Sequence, residues 1–365
     1  MKNVLVGVAA VLACSMSWAR TTAQNDAPQT TNAKLEVQDA GANLGVTIEK
    51  LVSGTNEAAW IGYEVEQIAG RDEDCCTDRP RGGDLRGGTL ELENEHANWG
   101  RTLKSDNDRT PETGGKLMIL LRAEKARVAV VRVAPASCRL DAGGLRLVWL
   151  KDVKAEQSVA YLSELVKSQD FFARGYHGIG EQALTAIALH ADASADRALE
   201  GFTTAGQPQQ LRERAAFWMG AARGEVGFNA LKKMARTEPS DEVRSQVAFA
   251  LFVSKGTGAT DEIVRMARED SSPHVRGQAL FWLAQKAGQK AEKTITGAIA
   301  EDPDTEVKKK AVFALSQMPK DQGVPKLIEL AEKNRNPEVR KQAMFWLGQS
   351  GDPRALEFFE KVLRE

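Results

Sequence analysis

The chain has 365 residues, 49 of them basic and 50 acidic, for a formal net charge of −1. So even a balance leaves no electrostatic footprint for nucleic acid, and the length suggests about two domains. With only four histidines and four cysteines, there is little material for a metal centre, and no cofactor is expected.

The N-terminus is read first. Met1-Lys2-Asn3 is a short positive start, Val4 to Cys14 is almost entirely apolar, and Ser17 and Ala19 are small residues at the −3 and −1 positions of a cleavage site. That is the layout of a secretory signal peptide over residues 1–19, with cleavage after Ala19. The apolar stretch is short of the roughly 20 residues of a membrane-spanning helix, and no later stretch is long and apolar enough to span. The mature protein is expected to begin near Arg20 and to be periplasmic or secreted. An alternative stays open, since Val11-Leu12-Ala13-Cys14 resembles the lipobox of bacterial lipoproteins, in which Cys14 would carry a lipid anchor.

Residues 20–32 read as a polar leader and 33–150 as a small β-rich domain, for which a sandwich is the expected form because strand signals alternate with turn signals. Strands are expected over Trp60–Ile68, then over Lys116–Arg122 and Arg127–Val133 as a hairpin about Ala123–Ala126. Two more are expected over Cys138–Leu140 and Leu145–Leu150, on either side of Asp141-Ala142-Gly143-Gly144. In an oxidising compartment Cys138 is expected to pair with Cys75 or Cys76, since adjacent cysteines bond each other poorly. Free thiols and a metal remain alternatives.

From about Glu156 the pattern is helical, and it repeats. Val243-Arg244, Val275-Arg276, Val307-Lys308 and Val339-Arg340 follow one another at 32-residue intervals, with Leu211-Arg212 one interval earlier. Such a period is the mark of a repeat architecture. Ala215, Val247, Ala279, Ala311 and Ala343 come four residues on, and Met219, Leu251, Leu283, Leu315 and Leu347 eight residues on, which puts all three columns on one helix face. Ser240, Ser272, Asp304 and Asn336 are N-cap residues, and Pro273 and Pro337 stand at the first helical position. A second helix follows in each unit, with Leu231, Ile263, Ile295, Leu327 and Phe359 in one column. Neither helix can bury its stripe alone, so the units stack. Ala183, Ile187 and Leu199 mark a degenerate earlier copy.

The unit, Glu-Val-Arg followed by Ala and Ala-Leu at fixed offsets, resembles the HEAT-like repeats of phycobilin lyases. The resemblance implies a mainly α protein: an α-solenoid of HEAT-like helix–turn–helix repeats over 151–365, clear over 209–365 and degenerate over 179–208, preceded by the β-rich domain. Such repeats serve as binding scaffolds, but a shared fold does not fix a function. Deoxyhypusine hydroxylase has a similar architecture and holds two irons through His-Glu pairs. Here none of His177, His190 and His274 is followed by Glu. The resemblance also implies that the basic column, Arg212, Arg244, Arg276, Lys308 and Arg340, binds loop carbonyls or carboxylates between units.

Two aromatic columns remain. Trp218, Ala250, Trp282, Ala314 and Trp346 alternate large with small and are read as core. Phe217, Phe249, Phe281, Phe313 and Phe345 hold the next column without exception, at about 240° on a wheel where the Val/Ala/Leu stripe spans about 0–80°. They are either a lateral stacking spine or a band open to another protein. The expected function is an exported scaffold that binds a protein partner without catalysing a reaction. The alternatives are an enzyme or ligand-binding protein with its site in the β-rich domain, and a lipoprotein scaffold anchored through Cys14.

Overall fold

The computed structural model describes residues 27–55, 57–69, 88–94, 115–168, 178–286 and 288–364. The expected Cys75 and Cys76, the signal segment and Cys14 lie outside them. The order begins β1 (Thr30–Thr31), β2 (Lys34–Asp39), α1 (Leu44–Ser53), β3 (Ala59–Glu66), β4 (Thr89–Glu91), β5 (Lys116–Glu124), β6 (Arg127–Pro135), β7 (Arg139–Asp141) and β8 (Arg146–Lys151).

Five of these strands form one sheet in the order β2-β8-β3-β5-β6, and three short ones form another in the order β1-β7-β4. Along β3 successive side chains point to opposite faces, as the two-residue strand period requires. Ile61, Tyr63 and Val65 enter a core shared with the helices, whereas Trp60 enters a second core with Met118, Leu120, Leu147, Trp149, Leu90 and Leu140, closed by the small sheet. Gly62 is obligatory between them, because a Cβ there would lie 2.8 Å from the Trp149 ring. The expected hairpin turns at Lys125 and Ala126, with φ of 52° and 55°, the left-handed pair that a two-residue turn needs.

Helix α1 was not legible as such, although Leu44, Ile48 and Val52 are buried at helical spacing and Asn43 caps it by accepting from the Val46 amide at 3.1 Å. Strand β2 escapes pattern reading for a physical reason. All six of its residues are exposed at the sheet edge, so no buried face is written into them.

The helical half comprises α2 (Ala155–Lys167), α3 (Ile179–Leu189), α4 (Ala193–Phe202), α5 (Gln209–Ala222), α6 (Gly224–Thr237), α7 (Asp241–Val253), α8 (Ala259–Glu269), α9 (Pro273–Lys286), α10 (Gln289–Glu301), α11 (Thr305–Ser316), α12 (Lys320–Lys333), α13 (Pro337–Gln349) and α14 (Pro353–Arg364). The first helices of the five clear units are α5, α7, α9, α11 and α13. In each, all three residues of the Val/Ala/Leu stripe are at most 3 % exposed. The caps work as written: Ser240 accepts from the Val243 amide, Asp304 from those of Glu306 and Val307, and Asn336 from that of Glu338. Ser272 differs, donating its hydroxyl to Asp241 at 3.0 Å and so linking two first helices. Backbones approach closely where α5 meets α7, since a Cβ on Gly220 would fall 2.2 Å from the Ala250 carbonyl oxygen. One apolar core runs unbroken from Ala40 under the large sheet, through α2 and α3, to Phe358 in α14.

Candidate protein-binding face

The Phe column stands on the side of the first helices turned away from the buried stripe. Phe217, Phe249, Phe281 and Phe313 are half-buried and Phe345 is 54 % exposed. The rings touch in an unbroken series. Trp218 meets Phe217 at 5.3 Å between centroids, Phe217 stacks on Phe249 at 5.9 Å, and Phe249 leans on Trp282 at 4.6 Å. Trp282 meets Phe281 at 4.9 Å, Phe281 stacks on Phe313 at 5.8 Å, Phe313 leans on Trp346 at 4.8 Å, and Trp346 meets Phe345 at 5.0 Å. Eight rings from five helices thus make one ladder. The two sequence alternatives for this column are not exclusive, because each ring braces its neighbours through one surface and leaves another to solvent.

The Trp column needs correction. Trp218, Ala250 and Ala314 are buried, but Trp282 and Trp346 are only partly so and lie against the ladder. Each of these Trp follows a unit whose small residue is Ala250 or Ala314, and it leans on that unit's Phe249 or Phe313.

The basic column does bridge units. Arg276 donates from Nε and Nη2 to both carboxylate oxygens of Asp302, at 2.8 and 3.0 Å, and from Nη1 to the Asp270 and Ser271 carbonyls. Arg244 does the same with Asp270, and Arg212 with Glu238. Each acid also accepts from the amide two residues on, so it fixes the next helix start. Where Lys308 replaces arginine, Asn334 replaces the acid, and the lysine donates instead to the Ala300 carbonyl. This acid column, 26 residues after each arginine, repeats at the same period and was available to sequence reasoning.

A buried polar chain at the junction of sheet and solenoid was not foreseen. His190 Nδ1 lies 2.7 Å from the Ala186 carbonyl, which can only accept, so Nδ1–H donates to it, Nε2 accepts from the Ser158 hydroxyl at 2.9 Å, and Ser158 in turn accepts from Tyr63. All three side chains are shut away from solvent. Burial pushes the His190 pKa down to about 4 and the Tyr63 hydroxyl well above its ordinary range. Beside them Arg223 donates to the His190 carbonyl and to Asp196. Cys138 is buried and disulfide-bonded, while its expected partners lie outside the described residues. Among the described residues no three His, Cys, Asp or Glu side chains converge as metal ligands, and no helix is long and apolar enough to cross a membrane.

Known proteins can now be set beside this geometry. The family model for HEAT repeats matches residues 260–334 and 294–365. The helical half is a HEAT-repeat solenoid. No curated protein sequence matches the chain. Among solved structures, human deoxyhypusine hydroxylase in complex with glycerol is 17 % identical, over 56 % of this chain and 77 % of that one, with a TM-score of 0.24. YibA of E. coli is 15 % identical over 57 % and 76 %, with a TM-score of 0.35. The complex of CpcE and CpcF of phycocyanin lyase from Nostoc is 20 % identical over 57 % and 80 %, with a TM-score of 0.32. At such scores these likenesses carry no functional argument.

Proposed function

We propose that the protein is an exported, periplasmic or secreted scaffold that holds another protein on the aromatic ladder of its HEAT-repeat solenoid and works without catalysis. The observation that carries this is the ladder itself: a continuous apolar strip across five helices, left half-open to solvent. A contiguous apolar strip of that kind marks an interaction site. Export rests on the signal-like segment of residues 1–19.

Site-specific crosslinking tests the face. A photoreactive side chain at Gln285 or Phe345, beside or on the ladder, is expected to capture a discrete envelope protein. The same group at Lys233 or Lys326, on second helices, is expected to capture none. Equal capture from both sets would remove the assigned face. Export has its own check in an intact-mass measurement, for which an N-terminus at Arg20 is expected. A chain that starts at a lipidated Cys14 would make the scaffold membrane-anchored.

A further inference from the structure

The repeat supplies its own control for a cavity on the second helices. Where α6 lies beside α8, Glu262 is buried and accepts from Arg236 at 3.3 and 3.0 Å and from Arg265 Nε at 2.6 Å, while Arg265 Nη2 donates to the Ala235 carbonyl at 3.0 Å. One period on, between α8 and α10, Arg268 is kept in the place of Arg236, but Thr294 stands for Glu262, Gly297 for Arg265 and Lys293 for Asp261. A neutral set of four side chains thereby becomes one with two net positive charges. The truncated Glu and Arg positions border a cavity of about 530 Å³, a size typical of small-molecule sites. A Cβ on Gly297 would meet nothing within 4 Å, so the space beside it is open.

Two kinds of group are left over around this cavity. Arg268 Nη2 reaches only the Thr294 hydroxyl, at 3.4 Å, and neither Arg268 nor Lys293 has a carboxylate partner among the described residues. Arg276 and Asp302, at the cavity's edge, are spent on each other. A guanidinium and an ammonium lining one cavity call for an anion, and a carboxylate fits the guanidinium fork. On the acceptor side, the Ala267 carbonyl has a glycine where Ala235 has its arginine donor, and Glu301 lines the cavity with no cation paired to it among the described residues. A bare anion such as phosphate would satisfy Arg268 and Lys293 but would be repelled by Glu301. A ligand with an ammonium next to its carboxylate satisfies both sides. The preceding unit sets the scale, since Arg265 Nε stands 2.6 Å from the Glu262 carboxylate, and in an α-amino acid one carbon carries both the ammonium and the carboxylate.

We infer that the cavity between α8 and α10 binds the zwitterionic head of an α-amino acid, its carboxylate on Arg268 and Lys293 and its ammonium on Glu301 and the Ala267 carbonyl. The site stands on second helices and does not depend on the role of the ladder. Its volume and polar rim suit a longer, uncharged polar side chain, so the probe is L-glutamine. Ligand-observed NMR titrates the full mature chain with L-glutamine, with its N-acetyl form, which keeps the carboxylate and loses the ammonium, and with its α-amide, which does the reverse. Saturable binding of L-glutamine is expected, tighter by about tenfold or more than that of either derivative, because each derivative leaves a charged group without its partner. Arg268→Gln replaces an exposed side chain, and Gly297→Arg fills the open space with a better helix former. Both variants should melt no lower than the parent and bind L-glutamine at least about tenfold more weakly. No saturable binding of L-glutamine overturns the inference. A derivative that binds as tightly as L-glutamine overturns it too, as does unchanged affinity in either variant.

Discussion

Arg276→Ala is expected to cost about 3–5 kcal/mol of stability, the range for leaving one member of a buried ion pair without its partner. Both side chains of the pair are more than nine-tenths buried, the arginine 9 % and Asp302 6 % exposed. The loss also frees the Asp270 and Ser271 carbonyls that Nη1 satisfies. Adding Asp302→Asn to Arg276→Ala should recover part of the loss, because the uncompensated charge goes while an acceptor stays for the Asp304 amide. Trp282→Ala is expected to cost less than Arg276→Ala, since the ring is only partly buried and falls short of the about 3–5 kcal/mol of a fully enclosed aromatic. Denaturant titrations of the four proteins decide the order. A Trp282→Ala loss as large as that of Arg276→Ala would put the ladder, and not the ionic rungs, in charge of unit stacking.

Acid should weaken the fold before most carboxylates titrate. His190 holds its proton with a pKa of about 4 when folded, chiefly because burial disfavours the imidazolium, against about 6.5 in an unfolded chain. Between those values the unfolded chain binds a proton that the native one refuses. Stability therefore falls as pH falls through this window and is unaffected by His190 above about 6.5. From pH 7 to pH 5 the expected loss is about 2 kcal/mol, at about 1.4 kcal/mol per unit of pH over the part of the window crossed. His190→Gln, though less stable throughout, should show a flatter profile over the same interval. A profile as steep as the parent's would assign the acid sensitivity to other groups. Nearby Asp192 is held below its usual value by the Ser194 hydrogen bonds and stays ionised in this range, so it does not blur the reading.

The contrast between these two sites shows where pattern reading succeeds. The 32-residue period lets the chain serve as its own alignment. Val243, Val275, Val307 and Val339 therefore reveal the buried stripe, and the Phe column stands out because no unit departs from it. Exposure is not written in the period, which is why half-open Trp282 and Trp346 read as core. The acid column was within reach but lies in loops, where Glu238, Asp270, Asp302 and Asn334 vary in identity and mask their common task. The polar chain was out of reach. Tyr63 and Ser158 are 95 residues apart and meet only because the fold brings the start of α2 to β3. In the β-rich region β3, β5, β6, β7 and β8, which carry buried apolar residues, were legible to within two residues of their ends, while the exposed β2 and the short β1 and β4 were not.

The large–small alternation beside the ladder sets a rule for how this solenoid can change length. The ionic rungs of Arg212, Arg244 and Arg276 are alike from one unit to the next, so over these units they tolerate the loss or gain of one. The ring contacts do not: Phe217 stacks on Phe249, and the next step, Phe249 to Trp282, is of another kind. Excision of one unit would set Trp against Trp across a seam shaped for Trp against Ala, whereas excision of two would restore the alternation. The building block of this array is therefore a pair of repeats, and shortening or extending it in even steps is the change that the seam permits.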